Sequence, residues 1–187
     1  CLVGSEMCIR DRTISGNFSW FKSPNATVKF GTQHKTLGFE YFSKFQDSVA
    51  FRIKNAPVEL GSYLKMKYSL NGLLILEPGI RMNYYNVFPD SLYPDLRFGL
   101  KYLLTDDRYI NLSVGNYHQF ISTFQDDFNP SILDNWIAVD ESVAPGKSVQ
   151  FVLGYEEYIR NMYKIQVESY YKDLKNLLTY EERRSST

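Results

Sequence analysis

Between Val58 and Phe88 the chain reads VELGSYLKMKYSLNGLLILEPGIRMNYYNVF, two long alternating arms about Asn71-Gly72. Side chains with a period of two fall on one side of a sheet. The first arm sets Val58, Leu60, Leu64, Met66, Tyr68 and Leu70 against Glu59, Tyr63, Lys65, Lys67 and Ser69. The second sets Leu74, Leu76, Ile80, Met82 and Tyr84 against Glu77, Gly79, Arg81 and Asn83. Asn-Gly between the arms signals a hairpin, because both turn positions take positive φ. Each arm runs about 13 residues, whereas soluble strands cluster near about 5–6 and a tilted membrane-crossing strand needs about 9–11. The hairpin is sized for a bilayer, although alternation alone fits a soluble sandwich equally well.

The rest of the chain extends the pattern. Strands are expected over Thr13–Phe21, Thr27–Tyr41, Leu96–Leu104, Tyr109–Phe120, Ser148–Ile159 and from Met162 onward, which with the hairpin gives about eight. SVAFRIK, within residues 42–57, reads as a strand extension beyond the membrane, and PDSLYPD after Phe88 as a loop. The connections run about 5, 15, 2, 9, 4, 27 and 2 residues, short and long in strict alternation. A soluble meander has no reason for that rhythm. A membrane barrel has one, since its periplasmic turns are short and its extracellular loops long. The expectation is an all-β chain of about eight long antiparallel up-and-down strands, an open part of a larger transmembrane barrel.

Composition agrees. No run of apolar residues is long enough for a transmembrane helix, and a barrel strand hides its apolar residues at alternate positions, so a mean hydropathy of −0.32 is compatible with it. Aromatic residues make up 16% of the chain, as suits strands and interfacial girdles, and the pairs Tyr84-Tyr85 and Tyr170-Tyr171 are expected in such a girdle. A formal net charge of zero argues against nucleic-acid binding. The first twelve residues, CLVGSEMCIRDR, lack alternation and resemble a translated sequencing adapter. They are expected to lie outside the fold, and they hold both cysteines, Cys1 and Cys8. The chain is read as a fragment.

The residues also resemble a known family. APVELGSYLKMKYSLNGLLILEPGIRMNYYN is similar to paired barrel strands of TonB-dependent receptors, with their "L-x-PGxR-x-x-Y" segment. PDLRFGLKYLL resembles their "PRxGLRY" strand, INLSVGNYHQF the "xLxxSYGxxxQ" strand, and GYEEYIRNMYKIQVESYYKDLKNLLTY the ending common in receptors of the Bacteroidetes. The likeness covers about residues 27–180. It departs at Leu64-Lys65-Met66-Lys67, where Gln-Asp is usual. It implies a barrel of about 22 strands around a plug domain, energised by the inner-membrane TonB complex, in the outer membrane of a Gram-negative bacterium, importing siderophore-bound iron, cobalamin, glycans or peptides. The plug is absent from this sequence, and a surface lipoprotein is an expected partner, beside membrane lipid.

No catalytic residue, cofactor or metal site is expected. Lys65, Lys67, Glu77, Arg81, Arg97, Lys101 and Glu168 fall on the polar parity, where they face the lumen and its plug. Asp126, Asp127 and Trp136 lie in the longest connection and are the candidate extracellular ligand contacts. Those aspartates lack the oxygen-ligand spacing of a calcium loop, and His34 and His118 are isolated, without a Cys or a paired His. A charge introduced at Leu64, Leu76 or Ile80 should impair assembly, whereas one at Ser69 or Asn83 should be tolerated.

Overall fold

Alternation over a dozen residues leaves the backbone one economical state, an extended strand paired on both sides, and the sheet is built by repeating it. The computed structural model describes residues 3–45, 48–88, 92–124, 135–138, 144–160 and 162–177. Its strands are β1 (Val3–Ser23), β2 (Ala26–Phe45), β3 (Ser48–Asn55), β4 (Val58–Leu70), β5 (Leu74–Tyr85), β6 (Leu92–Thr105), β7 (Arg108–Gln119), β8 (Ile121–Phe124), β9 (Asn135–Ala138), β10 (Gly146–Ile159) and β11 (Tyr163–Lys175). Eight of them form one open antiparallel sheet in the order β1-β2-β4-β5-β6-β7-β10-β11, an up-and-down path without crossovers. β3 pairs with the far end of β2, where SVAFRIK was expected to extend a strand, and β8 and β9 make a separate small hairpin inside the longest connection.

The opening hairpin forms as its sequence demands. Asn71 has φ 50° and Gly72 φ 71°, and the Leu73 amide donates to the Leu70 carbonyl at 3.0 Å. Residues 24–25, 71–73 and 106–107 make short turns at one end of the sheet, where β10 also ends and β11 begins. Pro78 has no N–H to give. Beside it the β4–β5 register lapses between Lys65↔Gly79 and Tyr68↔Leu76, then resumes in phase.

Two boundaries differ from the sequence expectation. β1 begins at Val3 rather than Thr13, in register with β2 from Val3↔Phe45 to Ser23↔Ala26. Pairing uses backbone groups, so a segment without alternation extends a strand when a partner is already laid down. β6 begins at Leu92, inside the expected loop PDSLYPD. Pro94 is accommodated there because β7 has already parted from β6 beyond Arg97↔Gly115. In the gap the Asn116 side chain replaces the ladder: its Oδ1 accepts from the Leu96 amide and its Nδ2 donates to the Pro94 carbonyl, both at 2.8 Å.

The sheet has no conventional core. Among the described residues the buried apolar side chains are Ala26, Leu37, Tyr85 and Phe120. Large apolar side chains of one parity are instead exposed, Leu64 by 50%, Leu153 by 55% and Val167 by 62%. In water that apolar face would be an aggregation surface; in lipid it needs no cover.

Candidate functional site on the polar face

The polar parity is odd from β1 to β7 and even on β10 and β11, as the register pairs Lys65↔Gly79, Gly79↔Arg97, Gly115↔Gln150 and Gln150↔Lys172 require. The residues on it are organised into two networks and a cationic band.

Toward the long connections a hydrogen-bonded belt crosses five strands. Arg81 on β5 donates from Nε to Asn83 Oδ1 at 2.6 Å and from Nη2 to Gln33 Oε1 at 3.2 Å, with Glu59 Oε1 at 3.5 Å. Gly61 makes room for it, since a Cβ there would collide with the guanidinium. Asn83 Nδ2 donates to Asp95 Oδ2 at 2.9 Å, and Asp95 Oδ1 lies 2.7 Å from His118 Nδ1. His118 reaches this face because β7 has separated from β6 at Asn116, and its ring packs on Tyr93 at 5.2 Å. Tyr85 and Tyr93 close on Phe120 at 4.8 and 5.1 Å.

Toward the short turns Glu156 is a hub. It is 7% exposed and accepts from the Tyr158 hydroxyl at 2.9 Å and Asn111 Nδ2 at 3.5 Å. Lys164 Nζ lies at 3.2 Å and Lys101 Nζ at 3.7 Å, and Lys101 also sits 4.1 Å over the Tyr109 ring. One carboxylate thus ties β6, β7, β10 and β11.

The sequence-derived candidates divide accordingly. Lys65 pairs with Glu77 at 2.6 Å, Arg81 belongs to the belt, and Lys101 to the Glu156 hub. Arg97 lies 4.5 Å over the Tyr117 ring, which itself fits because Gly115 beneath it has no side chain. Glu168 is exposed and accepts from Gln166 Nε2 at 2.7 Å, and Lys67 is exposed and has no ion pair among the described residues. Asp126 and Asp127 fall outside the described residues. The Trp136 backbone pairs with Thr123 in the β8–β9 hairpin, and its side chain is outside the described residues.

His118, with neither a Cys nor a second His beside it, is half-buried against the buried Asp95 carboxylate. Two expectations are corrected. Asn83 is 2% exposed and doubly hydrogen-bonded, so it is no tolerant position for a charge; Ser69 remains one. Tyr85 is fully buried on the polar parity rather than in a girdle, because neighbouring residues on a strand must point to opposite faces. Reasoning from the sequence missed Glu156, Asp95 and Asn116 as organising residues. Their parity was legible, but which residues they meet depends on the register of the neighbouring strands.

Among the described residues no group of three His, Cys, Asp or Glu side chains is placed to hold a metal ion, and no helix is long and apolar enough to cross a membrane. No protein-family model and no curated protein matches the sequence. Solved structures do match in fold. The chain is similar to the ferric enterobactin receptor PfeA from Pseudomonas aeruginosa, with a TM-score of 0.66 at 13% identity over 90% of this chain and 27% of that one. It is similar to the siderophore receptor PirA from Acinetobacter baumannii, with 0.62 at 12% identity over 91% and 27%. It is also similar to the RagAB peptide transporter, with 0.58 at 9% identity over 94% and 24%. The chain spans about a quarter of the length of these proteins, all of which are receptors or transporters rather than enzymes. With its open up-and-down sheet, apolar on one face and ion-paired on the other, the chain has the barrel-wall fold of the TonB-dependent receptors that its sequence motifs resemble.

Proposed function

We propose that the chain is a sector of the barrel wall of an outer-membrane TonB-dependent active transporter, one that imports a bulky nutrient of the siderophore-iron, cobalamin, glycan or peptide class. The observation that carries this reading is the two-faced sheet of long strands whose short turns all lie at one end. The apolar face meets lipid of the outer membrane and the polar face a wet lumen. A closed barrel of about 22 strands would enclose a plug domain, and its energy would come from the TonB complex. Lys65, Lys67, Glu77, Arg81, Arg97, Lys101 and Glu168 line the lumen, toward the plug. The long connections, with Asp126, Asp127 and Trp136, face the outside, where ligand and a surface lipoprotein would meet them. Residues 1–12 we assign to an adapter rather than to the native gene.

The complete gene tests all of this. Its product should partition to the outer membrane, shift in mobility on heating before electrophoresis, and support nutrient uptake only when TonB is present. Its reading frame should encode a plug and a sequence other than CLVGSEMCIRDR before Thr13. A soluble, monomeric, cooperatively folding product would overturn the barrel reading.

A further inference from the structure

A hollow of about 550 Å³ is sunk into the apolar face of the sheet. Leu64 and Met66 on β4, Pro78 on β5, Phe98 on β6, Val114 on β7 and Val149 on β10 line it, and all lie on the apolar parity. The face dips because Pro78, Val114 and Val149 are shorter than the Leu, Met and Phe side chains beside them. At about 4.8 Å per strand, the four steps from β4 to β10 make this trough about 19 Å long. A surface that meets bulk lipid needs only to be apolar. A trough adds shape, and the shape is that of one extended fatty-acyl chain.

The trough ends at Val149, and the next residue of that parity on β10 is Lys147. Lys147 stands directly opposite Lys175 on β11, and like charges so placed destabilise a sheet unless an anion lies between them. Lys147 is exposed and has no ion pair among the described residues. Lys175 has Asp173 at 3.7 Å, with both side chains exposed. Two ammonium groups thus share one carboxylate. The other end of the apolar run on β10 is balanced, since Glu157 pairs there with Arg108 at 3.0 Å. From Lys147 to Glu157 the strand covers about 33 Å, which at a tilt of about 40° is a rise of about 25 Å, the height of the apolar band of an outer-membrane wall. Lys147 and Lys175 therefore sit at headgroup level, at the end away from the short turns.

We infer that the wall holds one anionic, phosphate-bearing lipid of the outer leaflet in a fixed place, its phosphate bridging Lys147 and Lys175 and one acyl chain lying in the trough from Val149 toward Met66. The inference rests on the proposed reading of the apolar face as lipid-facing. It goes further, because bulk lipid requires neither an unbalanced lysine pair nor a trough. The two contacts together select a lipid over free phosphate, which would gain nothing from the apolar half of the site.

The test uses the complete receptor in neutral detergent micelles, with dimyristoyl phosphatidic acid as the probe and native mass spectrometry as the readout. One phosphatidic acid should bind per receptor, and phosphatidylcholine of the same chains should bind more weakly. Lys147→Gln/Lys175→Gln should weaken phosphatidic acid binding by about tenfold or more, as expected for the loss of hydrogen bonds to a charged group. Val149→Trp, which fills the trough and leaves both lysines in place, should weaken it as well. Each variant is compared as receptor that shows the folded mobility on unheated gels. Equal binding by wild type and both variants, or of both lipids, would overturn the inference in favour of unselective lipid contact. Loss in the lysine variant alone, with inorganic phosphate competing, would overturn it in favour of a free-anion site. A photoreactive phosphatidylcholine in liposomes carrying the receptor separates these failures from that of the barrel reading. Labelling at Leu153 and Val167 without selective phosphatidic acid binding sinks the lipid site alone; labelling at Lys65 and Glu77 instead sinks the lipid-facing assignment with it.

Discussion

Glu156 shows how one residue holds several strands. Its carboxylate compensates Lys101 and Lys164 while accepting from Tyr158 and Asn111. Glu156→Gln keeps the shape but leaves two ammonium groups without a counter-charge, at a cost of about 1.5–3 kcal/mol. The expected result is a lower midpoint for the heat-induced mobility shift of the complete receptor. Lys164→Gln, whose side chain is 44% exposed, should lower it less, because solvent screens an exposed ion pair. Equal losses in the two variants would show that Glu156 is not the hub. Asn116 is the other instructive residue. A sequence reading puts it simply on the apolar parity of β7, yet its amide replaces the ladder beside Pro94 and lets His118 turn to Asp95.

At the scale of the element, each strand has to satisfy two solvents. The Val58–Phe88 hairpin shows the asymmetry most plainly, with Leu64 on the apolar face 50% exposed and Lys65 beside it bound to Glu77. Leu64→Lys should impair assembly of the complete receptor by about 2–4 kcal/mol if the residue lies at the bilayer midplane. Ser69→Lys, on the polar face near the turn, should assemble normally, as measured by the folded fraction on unheated gels. Equal tolerance at both positions would mean the faces have been exchanged. The strand ends were less legible than the strands. Val3 to Arg12 and Leu92 to Asp95 joined β1 and β6 because a neighbouring strand offered unpaired backbone groups, a force that leaves no periodic trace.

For the whole molecule, the open edges decide behaviour. β1 and β11 each have one neighbour in the sheet. An unpaired edge invites aggregation in water, and in lipid it costs several kcal/mol per unsatisfied group. The chain as given is therefore expected neither to fold stably nor to transport when produced alone. A heat-modifiable, monodisperse species after refolding into micelles would contradict that expectation.

The sequence by itself determined the fold class, the assignment of most strand side chains to the apolar or polar face, and the end of the sheet at which each connection lies. All three follow from local quantities: a period of two, a turn pair such as Asn71-Gly72, and the number of residues between strands. Only the tertiary structure decided which polar residues meet. The belt from Gln33 to His118 and the hub at Glu156 depend on the register between neighbouring strands, and on the Asn116 side chain that bonds β6 where the β6–β7 ladder ends. Parity is fixed by the chain's own geometry, but partnership is fixed by the neighbour's.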